Sequence, residues 1–182
     1  MLTAQKKKKE NIAEYILYMW QVEDLIRAYD CNMERIRTEL LPQYGQSGEI
    51  LQEMEQWWDN LCAMLKVEQK EKSGHLQMLT NTVNELNTLH HLLLKTPKFI
   101  NYQIQFQQLQ PLLKELETKT SPPPANDIEL MLSALYNTFL LRLQKQSLSA
   151  ETLSAMKQFA SFLALLSKRY QEEQTGKLDL ED

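Results

Sequence analysis

His75, His90 and His91 are the only histidines in the 182-residue sequence, and their spacing decides which metal chemistry is open to it. A helical bundle that holds a dinuclear metal site builds it from two Glu-x-x-His pairs on facing helices. No histidine here stands three residues after a glutamate, so that design is excluded. His90 and His91 point about 100° apart around a helix and do not converge on one ion. The His-Glu-x-x-His pattern is absent as well. Cys31 and Cys62 have neither CxxC spacing nor a histidine close in sequence, and they read as small buried thiols in a reducing compartment. No metal and no cofactor is expected.

Glu68 and Glu71 have the Glu-x-x-Glu spacing with which all-α nucleoside triphosphate pyrophosphohydrolases hold magnesium. The Glu-x-x-Asp that those enzymes carry one helix later does not follow, and in KVEQKEKSG the pair reads as a solvated helix end. There is no Walker A sequence, no GxSxG and no glycine-rich helix start. Trp57-Trp58 invites a stacking role, but each tryptophan continues an apolar stripe and ordinary packing accounts for both.

The densest mixture of rings and charges is ENIAEYILYMWQVEDLIRAYD, residues 10–30. On a helix, Glu10, Glu14, Gln21 and Asp24 fall away from the main apolar stripe, and Glu23 precedes Arg27 by four, the favourable order for a surface ion pair. Leu17, Tyr18 and Trp20 widen the apolar surface onto the same sides as those charges. A face both aromatic and charged is what an interface or a polar-lined groove presents. Glu14, Tyr18, Trp20, Glu23, Asp24 and Arg27 are therefore the candidate interface or ligand-binding residues; none is assigned a catalytic role. Two functions compete for them. One is contact with another protein, by self-association or with an unidentified partner, through the first helix; the other is an enzyme or ligand pocket lined by Glu14, Glu23, Asp24 and Arg27. Carboxylates buried in a cavity would favour the second.

The elements that must carry these residues follow from periodicity. Ile12, Tyr15, Met19, Val22, Ile26, Tyr29, Met33, Ile36 and Leu40 recur in steps of three and four, which predicts one long first helix over about 6–41, roughly 50 Å long. Asp30 to Asn32 are weak helix formers where it could break or bend. A second helix is expected from Ser47, with Ile50, Met54, Trp57, Leu61 and Met64 beside a parallel stripe of Leu51, Trp58, Cys62 and Leu65. The third repeats the rhythm in Leu76, Leu79, Val83, Leu86, His90 and Leu93, which puts His90 where leucine or valine stands elsewhere. Thr96-Pro97 opens a fourth, in which Phe99, Tyr102, Phe106, Leu109, Leu113 and Leu116 override the strand-like alternation of INYQIQF, and Pro111 predicts a kink or break. Residues 120–126, TSPPPAN, form the one linker; Asn126 with Glu129 resembles a capping box for a strongly apolar fifth helix. Ser149 and Glu151 begin the sixth, whose Ala160, Ser161 and Ala164 are small enough to let another backbone approach; residues 174–182 form an acidic, frayed tail.

Composition agrees. Only four glycines, an apolar fraction of 43% and an abundance of Leu, Gln, Glu, Lys, Met and Ala favour long helices over sheets. The expected fold is all-α: one domain over residues 1–182, a bundle of about six helices with a long N-terminal helix. A net charge of −4 with the basic residues scattered, Lys6 to Lys9 apart, argues against nucleic acid. No apolar run approaches the ~20 residues needed to span a bilayer. Glu14 interrupts the apolar part that would follow the lysines in a signal peptide, so the expected location is the cytoplasm.

AQKKKKENIAEYILYMWQVEDLIRA, residues 4–28, resembles the N-terminus of a domain-of-unknown-function family of short proteins from the Bacteroidetes group of bacteria. The resemblance implies a helical bacterial protein of about this length and supplies no activity and no functional residues.

Overall fold

The computed structural model describes residues 2–122 and 124–180; the middle proline of the linker and the last two residues of the acidic tail lie outside them. The described residues form eight α-helices and no strand, as the composition requires. They are α1 (Leu2–Glu10), α2 (Ile12–Ala28), α3 (Met33–Arg35), α4 (Gly48–Val67), α5 (Gln77–Lys95), α6 (Ile100–Lys119), α7 (Asp127–Leu143) and α8 (Ala150–Gln174). The last five match the second to sixth expected helices. The first does not: the long N-terminal helix is broken twice.

The first break is a cap. Asn11 is non-helical and its Oδ1 accepts from the Ala13 N–H at 3.1 Å, which starts α2 as a new helix. The second is a left-handed reversal. Asp30 and Cys31 have φ of 56° and 51°, and their N–H groups bond to Arg27 and Ile26 carbonyls at 2.9 and 3.0 Å, the paired bonds of a Schellman ending. Asn32 then caps α3, its side chain accepting from Glu34 and Arg35 N–H. A π-helical turn (Ile36–Leu40) and a 3-10 turn (Leu41–Tyr44) complete the stretch. The apolar phase nonetheless survives, for Ile36 and Leu40 are buried like Ile12, Met19 and Ile26.

The chain forms two compact units, one holding the segment up to Lys9 with Glu14–Asn81, the other Glu10–Ala13 with Thr82 onward. In the first, α2 buries two stripes: the expected one, and a second formed by Ile16, Trp20 and Glu23. Met54, Trp58, Leu61, Cys62 and Leu65 of α4 are buried in the same unit, and α3 packs on α4. In the second unit α6, α7 and α8 pack against one another. Leu86, His90 and Leu93 of α5, Ile128 to Leu132 of α7 apart from Glu129, and Phe159, Phe162, Leu163 and Leu166 of α8 are buried there. Asn126 caps α7 through Glu129 N–H at 2.9 Å, while the Glu129 carboxylate accepts from Ala125 N–H at 2.7 Å. α6 runs through Pro111 without a break; Gln107, whose carbonyl loses its partner there, is exposed to solvent. Ser149 caps α8 through Thr152 N–H, whereas Thr96 turns its hydroxyl back to the Leu92 carbonyl instead of capping.

Candidate functional site

Positions 20, 23, 24 and 27 are spaced three, four and seven apart, so α2 presents Trp20, Glu23, Asp24 and Arg27 along one face. Opposite them in the first unit lies the connection from α4 to α5. Gln69, at φ 56°, ends α4 in a second Schellman reversal. Glu68 caps α5 by accepting from Gln77 N–H at 2.6 Å, and Gly74 supplies the positive φ (83°) that closes the turn. The turn delivers His75 and Leu76 to α2.

Glu23 is 1% exposed, and both its oxygens are used. Oε2 lies 2.6 Å from His75 Nδ1, and Oε1 accepts the Leu76 N–H at 2.8 Å. A carboxylate leaves water only where hydrogen bonds replace its hydration, and the turn supplies two. The His75 ring stacks on Trp20 at 4.2 Å between centroids and 13° between planes. Arg27 donates Nε to the Lys70 carbonyl at 3.0 Å, Nη2 to the Gly74 carbonyl and Nη1 to Asp24 at 2.8 Å. The expected Glu23–Arg27 ion pair is therefore not formed. Arg27 takes Asp24 at i−3, and Glu23 turns inward to donors 52 and 53 residues away.

Of the six residues singled out from sequence, Trp20, Glu23, Asp24 and Arg27 are brought together. Glu14 is exposed and pairs with Lys7 at 2.9 Å, away from them. Tyr18 is half-buried, its phenol held above the ordinary range by burial and, second, by Tyr44. Sequence reasoning missed His75, which carries no signal beyond standing after the KSG turn.

Other reactive groups are buried and quiet. Burial, then neighbouring Cys31, pushes the Cys62 thiol up to about 11, and burial raises Cys31 too, so neither is a thiolate at neutral pH. In the second unit His90 Nδ1 lies 2.6 Å from the Tyr102 hydroxyl, inside a ring of Phe106 and Phe162. Burial, and secondarily His91, brings His90 down to about 4; burial alone raises the Tyr102 phenol. Among the described residues no group of three His, Cys, Asp or Glu could hold a metal ion. Nor is any helix among them long and apolar enough to cross a membrane. A cavity of about 510 Å³ lies between α6 and the start of α8, floored by Leu112, Leu116, Met156 and Phe159.

Fold and site together define an all-helical protein whose densest polar cluster joins a helix face to a turn. The chain belongs to the family described as Domain of unknown function (DUF4924), whose model matches residues 1–177. The resemblance noticed in residues 4–28 thus extends over nearly the whole chain. No curated protein and no solved structure matches it.

Proposed function

We propose that this protein acts by contact rather than by catalysis, in the bacterial cytoplasm, and that the first contact is with a second copy of itself through α6 and α8. The observation that carries the reading is a charge-free stretch of α6. From Ile100 to Pro111 the sequence INYQIQFQQLQP has no charged side chain, although 24% of the chain is charged. Two isoleucines one turn apart on it, Ile100 and Ile104, are 54% and 45% exposed. Beside this stretch a shallow cavity of about 220 Å³ is lined by Gln105 and Gln108 of α6 and by Ser161 and one charged residue, Lys157, of α8. The small residues Ala160, Ser161 and Ala164 are all exposed.

Every copy carries a net charge of −4, so copies repel one another except where a surface is neutral. A face whose α6 half is uncharged and partly apolar, and whose α8 half sets small residues beside a single lining cation, Lys157, is where two helices approach at low electrostatic and steric cost. The aromatic residues of α2 offer less, because Trp20 and Tyr15 are buried. Amide hydrogen exchange at low and high protein concentration tests the face. Protection that rises with concentration in 100–111 and 158–165 supports the reading; uniform, concentration-independent exchange there removes it.

A further inference from the structure

Beyond this reading, we propose that His75 is a phosphoryl-accepting histidine, with Nε2 as the nucleophile and an N-phosphoryl donor as its reaction partner. The Glu23 carboxylate can only accept, so the ring nitrogen facing it, Nδ1, carries the hydrogen, and in the neutral form of the ring the lone pair lies on Nε2. Leu76 N–H holds the other carboxylate oxygen, and the stack on Trp20 fixes the ring plane. Nε2 has no hydrogen-bond partner among the described residues, and the side chain is 32% exposed, so the lone pair is open to a reagent. Neither other histidine combines these features: His90 is buried, and His91 is exposed with no carboxylate bonded to it among the described residues.

The electrostatic setting suits a phosphoryl group. Lys70 folds over Gly74, its Nζ 3.3 Å from where a β-carbon on that residue would stand, and makes no ion pair among the described residues. Arg27 donates to the carbonyl of the same glycine, and Glu68 is engaged at Gln77 N–H. Glu71, exposed on the turn, opposes an incoming anion, as do Asp24, paired with Arg27, and Glu23, bonded to His75 Nδ1 and Leu76 N–H. Phosphoryl transfer needs positioning and charge stabilisation more than covalent assistance, and an imidazole nitrogen attacks without first losing a proton. In the step, the Nε2 lone pair forms the new N–P bond as the P–N bond of the donor breaks. The donor nitrogen, already protonated in the N-phosphoryl donor at neutral pH, leaves as the neutral amine with the electron pair of the broken bond. The ring keeps its Nδ1 hydrogen, and the positive charge left on it faces the Glu23 carboxylate. Glu23 is thus a positioning residue, and His75 alone touches phosphorus.

Phosphoramidate is the probe. Incubated with the full chain at neutral pH, it is expected to add one acid-labile, alkali-stable phosphoryl group at His75, roughly tenfold or more faster than at His91. Glu23→Gln should bring the His75 rate down to that of His91 in the same molecule, whereas a general loosening of the fold would raise both. Lys70→Ala, a surface change that leaves the Glu23 bonds in place, should slow His75 and leave His91 unchanged, and it decides the matter if the Glu23 variant unfolds. Equal labelling of His75 and His91 in the unaltered protein, or a His75 rate indifferent to Lys70→Ala, overturns the proposal.

Discussion

Replacing Glu23 by alanine removes the one buried carboxylate of α2 and with it the join between that helix and the start of α5. The Leu76 N–H, on a fully buried residue, loses its acceptor, at about 1–3 kcal/mol. The His75 contact adds a comparable amount, and one methylene leaves the interior at about 0.8 kcal/mol, less whatever the neighbours recover by relaxing. The expected loss is about 4 kcal/mol, set against a net stability of about 0.05–0.15 kcal/mol per residue. Trp20, Trp57 and Trp58 all lie in the first unit, so tryptophan fluorescence during urea unfolding reports on that unit. With a slope of about 1–2 kcal/mol per molar for a unit of this size, its midpoint should fall by about 2–4 M. Glu23→Gln is the informative partner. Its carboxamide oxygen can still accept from Leu76 N–H, and its NH₂ can donate to Nδ1 once the ring hydrogen has moved to the open Nε2, so the loss should stay near 1 kcal/mol. An alanine variant within about 0.5 kcal/mol of the unaltered protein would refute the reasoning, since surface substitutions alone do that little. A glutamine variant as damaged as the alanine one would show that the carboxylate charge, not the hydrogen-bond pattern, holds the turn.

Other outcomes follow from the second unit and the thiols. His90 sits near 4 when folded and near 6.5 when unfolded, so the unfolded chain binds the extra proton between those values; stability is full above pH 6.5 and is lost as pH falls toward 4, by about 3 kcal/mol. Helix content followed by circular dichroism across that window should show the slope in the unaltered protein and not in His90→Phe; equal slopes would place the effect elsewhere. Asn126→Ala should cost about 1 kcal/mol by removing the cap of α7, and Asn126→Asp should restore it; two equal values would mean the cap contributes nothing. Native Cys31 and Cys62 should resist iodoacetamide at pH 7.5 and react only in denaturant; rapid native labelling of Cys62 would contradict its burial and its position near 11.

Most of the helical layout was legible because it rests on local chemistry. The stripe Leu76, Leu79, Val83, Leu86, His90 and Leu93 is buried at every position, as its spacing demands. The first helix misled because its apolar phase continues past two interruptions, and phase alone does not distinguish a continuous helix from three pieces held on the same core. Asn11 followed three residues later by Glu14 is a capping pattern, and it was masked by the lysines before it and the stripe after it. The reversal at Asp30 and Cys31 uses residues that tolerate or are forced into positive φ without a glycine to announce it. The site was legible by half. Trp20, Glu23, Asp24 and Arg27 share a face by arithmetic, but that Glu23 turns inward depends on His75, and nothing in the local sequence of either residue points to the other.

Self-association through the uncharged stretch of α6 and the adjoining side of α8 is tested most directly by sedimentation equilibrium of the unaltered protein beside Ile104→Glu, over a dilution series at physiological ionic strength. The account predicts a dimer that dissociates on dilution, and a variant that is monomeric throughout with unchanged helix content. An unaltered protein that stays monomeric at every concentration, or a variant that dimerises as well as the original, would contradict it.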